Sequence, residues 1–282
     1  MRKGLILEGG AMRGLFSAGV MDVMMENGID FDGAIGVSAG AAFGCNYKSK
    51  QIGRTIRYNI RFADEWRYCS WRSWLLTGDL YGADFCYKEL PAHLDVFDFQ
   101  TFRKNPMEFY VVCTDAHTAK PVYHKLVKGT EQDLDWIRAS ASMPVVSHPV
   151  HIDGYDLLDG GISDSVPAHY FESIGYRKNV IILTQPAAYV KEPQDHQKLL
   201  KHALHNYPEV FKKLEHRHVA YNQTMAYIRQ LEQTGQAFVV RPPRPLQIGS
   251  IEHDPEEMKR VYKIGKAEGK RQVEKMKQFL SE

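Results

Sequence analysis

Long hydrophobic runs are missing from this 282-residue chain. No uninterrupted apolar stretch approaches the ~18 residues that a membrane-crossing helix needs, so any membrane contact is expected to be peripheral. The N-terminus shows no apolar segment followed by a small-residue cleavage site. Cysteine is scarce: Cys45, Cys69, Cys86 and Cys113 are the four copies, and none forms a C-x-x-C pair, which points to reduced thiols and a cytoplasmic protein. Charge of one sign is also lacking, with 36 Lys and Arg against 34 Asp and Glu and a formal net charge of +2. Nucleic acid as a partner calls for a concentrated basic excess and is not expected. Histidines are present without ligand spacing: His216 and His218 fall on different faces of a helix, and His202 and His205 have no Glu or Cys partner, so no metal is expected.

What is there reads as an ordinary globular chain, 44% hydrophobic and 25% charged, long enough for one or two domains and a large core. The first fifty residues read as strand, turn, helix, twice over. "KGLILEGG" is a short buried-type strand, and "LFSAGVMDVMMENG" has apolar residues at helical spacing, with Met21, Met24 and Met25 turned to the core, before Gly28 stops it. After an aromatic and Arg-rich region (61–90), "EFYVVCTDA" and "KPVYHKLV" predict paired strands and "TEQDLDWIRASAS" a helix. "VHIDGYDLLDGG" predicts a hairpin about Asp153-Gly154. "KNVIILTQP" and "QAFVVRPP" add strands, residues 195–234 read as helical with an interruption at Pro208, and Asp254-Pro255-Glu256-Glu257 opens a long final helix. One α/β domain, 1–190, with a mostly helical extension, 191–282, packed on it is the economical reading. The basic residues of the last helix read as a solvated face, with contact to an anionic membrane as the alternative.

Two glycine motifs carry the chemistry. "EGGAMRG", Glu8 to Gly14, sits at the first strand-to-helix turn, where a phosphate loop would be. A Walker loop needs Lys and Ser/Thr after the last glycine, and Leu15-Phe16 stand there; the dinucleotide fingerprint G-x-G-x-x-G is not met either. No nucleotide and no other cofactor is expected. The remaining readings are a plain tight turn, or an oxyanion hole in which backbone N–H groups freed by glycine converge on a developing charge. Gly36-Val37-Ser38-Ala39-Gly40 is a G-x-S-x-G pentapeptide, which chance alone supplies in roughly one chain in ten of this length. Its context, an apolar run before it and small residues after it, fits a sharp strand-turn-helix that holds a serine at its tip. A base must activate that serine. Any of the histidines could serve by order in the chain, although an α/β-hydrolase elbow follows several strands rather than one. Asp159 in "LLDGGISDSVP" is the other candidate, an aspartate leaving an apolar strand, with an ordinary Asp-Gly turn as its structural reading.

Taken together and in this order, "EGGAMRG", "GVSAG" and "DGG" resemble the patatin-like phospholipase family of bacterial type. "ASASMPVVSHPV" (139–150) resembles the Ala-Ser…Pro segment that precedes the family's Asp-Gly element. The similarity covers about residues 3–185. It implies a three-layer α/β/α sandwich with a mostly parallel central sheet and, here, a helical C-terminal extension. It further implies a Ser-Asp dyad of Ser38 as nucleophile and Asp159 as general base. The oxyanion loop would be Gly9, Gly10, Ala11, Met12, Arg13 and Gly14, with Gly36 and Gly40 framing the elbow and Gly160 and Gly161 following the base. Two positions depart from the family pattern: Ala11 replaces the loop's third glycine and tolerates positive φ less well, and Glu8 replaces its leading Asp or Ser. Arg13 either orients the loop or meets an anionic head group.

The implied activity is a serine acyl hydrolase acting on a lipid or other ester through an acyl-enzyme, as a phospholipase A or lysophospholipase-like esterase. A catalytically silent member that binds lipid or a protein partner through the same cleft is the alternative. In "FADEWRYCSWRSWLLTGDLYG" (62–82), tryptophan interleaved with arginine suits a water–lipid boundary, where Trp71 and Trp74 would cap the cleft and accept the acyl chain. The competing expectation is that Trp66, Tyr68, Trp71 and Leu75 fill the core.

Overall fold

Short apolar strands alternating with helices build one mixed sheet in the computed structural model, which describes residues 1–193, 195 and 197–282. The strands are β1 (Arg2–Leu7), β2 (Gly33–Val37), β3 (Glu108–Asp115), β4 (Pro121–Leu126), β5 (Val150–Ile152), β6 (Tyr155–Asp159), β7 (Tyr176–Ile182) and β8 (Ala237–Val240). The helices are α1 (Gly14–Glu26), α2 (Ala39–Lys48), α3 (Arg54–Arg61), α4 (Trp71–Thr77), α5 (Phe99–Lys104), α6 (Glu131–Ser140), α7 (Ala168–Ser173), α8 (Gln197–Ala203), α9 (Pro208–Glu215), α10 (Arg217–Gln233) and α11 (Pro255–Ser281). A π-helical stretch containing Pro91 spans Phe85–Leu94.

The ladder runs β5-β6-β3-β2-β1-β7-β8, with β4 also on β3. Parallel pairs join β3, β2, β1, β7 and β8 in turn, while β4, β5 and β6 pair antiparallel. Side chains of a strand alternate between faces, and β1 shows the result: Leu5 and Leu7 enter one core while Ile6 enters the other. The first core is completed by α1, α2, α6 and α11, the second by Phe171 of α7 and by Tyr221, Met225, Ile228 and Leu231 of α10. This is the expected α/β/α sandwich. The hairpin expected at Asp153-Gly154 joins β5 to β6, with φ of 50° and 81° at its two central residues, the left-handed pair that a two-residue turn of this kind requires. Asp254 caps α11 by accepting the Glu256 N–H at 2.8 Å.

The C-terminal extension is built into these layers. Strand β8 adds to the sheet beside β7, and α11 lies against α1 at a contact stripped of side chains. A Cβ on Gly265 would fall 2.0 Å from the Phe16 carbonyl oxygen, and one on Gly19 2.3 Å from that of Tyr262. Of the methionines expected inside, Met21 and Met24 are buried and Met25 is partly so. Among the described residues no helix is long and apolar enough to cross a membrane.

Gly265→Val is expected to destabilise the fold by about 2–3 kcal/mol, because backbone cannot yield as a side chain can. Chemical denaturation reads this as a lowered midpoint, and an unchanged midpoint would mean that α1 and α11 separate without penalty.

Candidate active site

Ser38 follows the last residue of β2 and precedes the first of α2, with φ 55° and ψ −123°. A non-glycine residue held there stores on the order of 1–3 kcal/mol of strain, and the neighbours make room for it. A Cβ on Gly36 would sit 2.5 Å from the Gly40 carbonyl oxygen, and one on Gly40 2.4 Å from that of Leu7. The Ser38 N–H donates to Ser140 Oγ at 2.9 Å, and the Ser140 hydroxyl donates in turn to the Val112 carbonyl at 2.6 Å. Ser140 at the end of α6 thus ties the elbow to β3.

Register along β3 brings Asp159 to the same place. Val112 pairs with Val37, the end of β2, and the next residue, Cys113, pairs with Asp159, the end of β6. Since Cys113 and Thr114 already pair with β4 on one edge, β6 must occupy the other, the edge that β2 has just left. Ser38 and Asp159 therefore emerge from two strands that meet end to end. Asp159 is 6% exposed. Its N–H donates to the Ser142 carbonyl at 2.7 Å, and its carbonyl accepts from the Thr114 hydroxyl at 2.8 Å. Its carboxylate accepts from the Gly161 N–H at 2.7 Å and lines a cavity together with Ser38. Burial pushes the Asp159 carboxyl above the usual carboxylate range, against the pull of the nearby Ser38 side chain, the Gly161 N–H and the Arg217 charge.

The glycine loop leaves β1 across from the elbow. Glu8 is buried and anchored from outside the loop, accepting the Thr184 N–H and, at 2.7 Å, the Tyr221 hydroxyl of α10. Its burial raises its pKa. Ala11 takes φ 47°, Met12 packs in the core, and Arg13 faces a cavity shared with Ser38, Asp159 and Gly161. Gly160 and Gly161 continue from Asp159 into a single 3-10 turn.

Ser38 and Ala11 line two cavities of opposite character. One, of about 120 Å³, is bounded mainly by apolar and aromatic side chains, among them Phe43, Tyr68, Leu90 and Ile137. The other, of about 380 Å³, is polar and carries Glu8, Asp159 and three cationic side chains. Neither is lined by Trp71 or Trp74; Trp74 borders a separate depression and donates its indole N–H to the Val145 carbonyl at 3.1 Å. The expectation that this segment fills the core holds for Tyr68, at 6% exposure, and not for Trp71, at 59%, or Leu75, at 75%. Tyr68 and Tyr81, rather than the tryptophans, wall the apolar cavity. Among the described residues no three His, Cys, Asp or Glu side chains gather as a metal site.

Several positioning groups went unread in the sequence. Ser140 and Ser142 stood in the quoted Ala-Ser segment, but only the folded chain shows what each one holds. Tyr221, Arg217 and Lys191 reach the site from a region in which no motif marked them.

A profile of the patatin-like phospholipase family matches residues 5–172, and a profile of a domain of unknown function (DUF6363) matches residues 207–281. The chain is 27% identical over 286 residues to YjjU, an uncharacterized protein of Escherichia coli (strain K12), covering 95% of this chain and 76% of that one. It is 27% identical over 179 residues to lysophospholipase nte1 of Aspergillus oryzae, covering 61% of this chain and 11% of that much longer protein. Among solved structures, VipD from Legionella pneumophila aligns with a TM-score of 0.48 and 13% identity, over 98% of this chain and 67% of that one.

Ala11→Gly is expected to raise stability by about 1 kcal/mol, the left-handed strain of an alanine removed less the added freedom of the unfolded chain. A thermal midpoint that falls instead would show that the Ala11 methyl contributes packing worth more than the strain.

Proposed function

The chain belongs to the patatin-like phospholipase family, and from that footing we propose that it is a serine acyl hydrolase in which Ser38 and Asp159 act as a dyad on a lipid ester. Lipid hydrolase or esterase activity is what the family as a whole supports. The finer reading is supported by one observation, the register on β3 that ends β2 at Val112 and β6 at Cys113, so that Ser38 and the buried Asp159 leave adjoining strand ends and line one cavity.

Asp159 takes the hydroxyl proton as Ser38 Oγ attacks the ester carbonyl carbon. The carbonyl π pair moves onto oxygen, where backbone amides of the Gly9–Ala11 loop stabilise the charge. Collapse of the tetrahedral intermediate expels the alcohol, which takes the proton from Asp159, and leaves an acyl-enzyme. A water deprotonated by the same carboxylate then releases the acid and restores both side chains. A carboxylate at its ordinary pKa of about 3.9 is a weak base. Burial strengthens Asp159 as a base, and the fixed donors lower what the alkoxide demands of it. The acyl chain enters the apolar cavity at Ser38. An exposed cluster of Trp71, Leu75, Leu76 and Val145, which are 59%, 75%, 65% and 47% exposed, supports peripheral docking on a lipid surface.

Ser38→Ala is expected to abolish hydrolysis of a soluble p-nitrophenyl ester and labelling by a fluorophosphonate, with the fold intact; Asp159→Asn is expected to be nearly as damaging. Substantial turnover by either folded variant, or a wild type that does not label, would sink the reading. The acid limb of kcat/KM should lie above the ordinary carboxylate range, since Asp159 must be unprotonated to act and burial raises its pKa.

Trp71→Ser with Leu75→Ser should cut sedimentation with lipid vesicles several-fold while hydrolysis of the soluble ester stays near wild type. Equal losses in both assays would place these side chains in the fold's stability rather than at a lipid surface.

A further inference from the structure

Three cations converge on the polar cavity beside Ser38, and the acyl-transfer steps use none of them. Arg13 comes from the glycine loop, Lys191 from the segment after β7, and Arg217 from the first turn of α10; all three line the cavity together with Ser38 and Asp159. A terminal nitrogen of Arg13 lies against Gly10 and one of Arg217 against Gly161, at 3.3 and 3.0 Å from where a Cβ on each glycine would be. The two guanidinium groups therefore flank the loop and the turn that follows the base. Each has its Nε buried and without a hydrogen-bond partner among the described residues, and a terminal nitrogen of Arg217 reaches the Ser165 hydroxyl at 3.3 Å. Lys191 is held in place by Asn222 of α10, whose amide donates to its carbonyl and accepts from its N–H, both at 2.9 Å. Burial first, then the charges of Arg217 and Arg13, push the Lys191 ammonium down to about 8.

Gathering like charges in a partly desolvated cavity is costly unless an anion shares it. The cavity's own carboxylates do not cancel the charge: Glu8 and Asp159 are two against three, leaving one net positive charge with both ionised, and burial raises the pKa of each. Guanidinium groups suit phosphate oxygens because they donate in parallel pairs, and an ammonium adds a point charge. The apolar cavity is lined by the same serine.

We infer that the polar cavity is a phosphate subsite, in which Arg13, Lys191 and Arg217 hold the phosphate of an amphiphilic substrate while its ester lies at Ser38 and its acyl chain enters the apolar cavity. The assignment rests on Ser38 being the nucleophile, and it narrows the substrate class from lipid esters in general to those bearing a phosphate near the ester. It also gives the C-terminal extension a part in substrate choice, through Arg217 and through Asn222, which positions Lys191.

The test separates binding from turnover. In full-length Ser38→Ala protein, glycerol 3-phosphate and inorganic phosphate are titrated calorimetrically, with and without Lys191→Gln and Arg217→Lys. In the otherwise wild-type chain, kcat/KM is measured on a lysophospholipid and on the monoacylglycerol of the same chain length. Glycerol 3-phosphate should bind, about tenfold more weakly in the folded Lys191→Gln protein and with part of the affinity kept by Arg217→Lys. The ratio of the two kcat/KM values should fall about tenfold in Lys191→Gln. No binding, binding indifferent to Lys191, or an unchanged ratio overturns the subsite. Tighter binding of inorganic phosphate with an unchanged ratio assigns the cavity to a free anion and overturns the head-group assignment. Glycerol 3-phosphate binding that depends on Lys191, in a chain that hydrolyses neither lipid, upholds the anion subsite and defeats the hydrolase reading instead.

Discussion

The ladder on β3 is the constraint on which the site depends. A parallel partner, β2, ends at Val112, and an antiparallel partner, β6, ends at Cys113 on the same edge. Two chain segments more than a hundred residues apart thus deliver Ser38 and Asp159 from adjacent rungs of one strand, with no flexible loop to set their separation. A one-residue slip of β6 would turn the side chain of Asp159 to the other face of the sheet. The polar anchors around the pair hold that register: Ser140 links the Ser38 amide to the Val112 carbonyl, the Ser142 carbonyl accepts the Asp159 N–H, and the Thr114 hydroxyl donates to the Asp159 carbonyl. Each bond satisfies a buried group that would otherwise cost about 1–3 kcal/mol, so the strand junction and the placement of Ser38 beside Asp159 stand or fall together.

Much of the fold was legible because its signals are local. The alternation of apolar runs with glycine turns predicts the first two strand–helix units. Asp153-Gly154 predicts its hairpin from the backbone needs of two residues, and Asp254-Pro255 announces α11 through a cap and a fixed φ. Residues 62–104 resisted because their elements are short and irregular: α4 spans seven residues, α5 six, and the stretch between them is π-helical with a proline inside. Trp71 and Tyr68 look alike in such a segment, yet one lies on the surface and the other in the core. Only packing against the rest of the chain separates them.

Three motifs in order marked Ser38 and Asp159 as the candidate pair, while nothing in the sequence marked the residues around them. Tyr221, Arg217 and Asn222 are ordinary letters in a helix of mixed polarity, and their meaning comes from which face of α10 meets the sheet. Residues four apart share a helix face, so Arg217 and Tyr221 both turn toward the cavity, and Met225 continues the same stripe into the core. The Glu8 departure has a physical reading in the same place. Glu8 accepts hydrogen bonds from the Tyr221 hydroxyl of α10 and from an amide beyond β7, so it ties the loop to the extension.

That tie bears on where the working unit ends. The patatin-like match stops at residue 172, before β7, β8, α10 and α11 have been laid down. A chain cut there would leave β1 without its parallel neighbour β7, and α1 without the helix that covers Gly19. It would also leave Glu8 buried or newly wetted, with both of its recorded partners gone. An acid stripped of its donors in an apolar setting is either protonated or drawn to water. Either change acts on a loop that packs closely on Val37 and Ser38 at Gly9. The matched segment is therefore a region of sequence likeness lying inside a larger cooperative structure, and the extension belongs to the site because it completes the sheet, the core and the polar anchoring of the loop together.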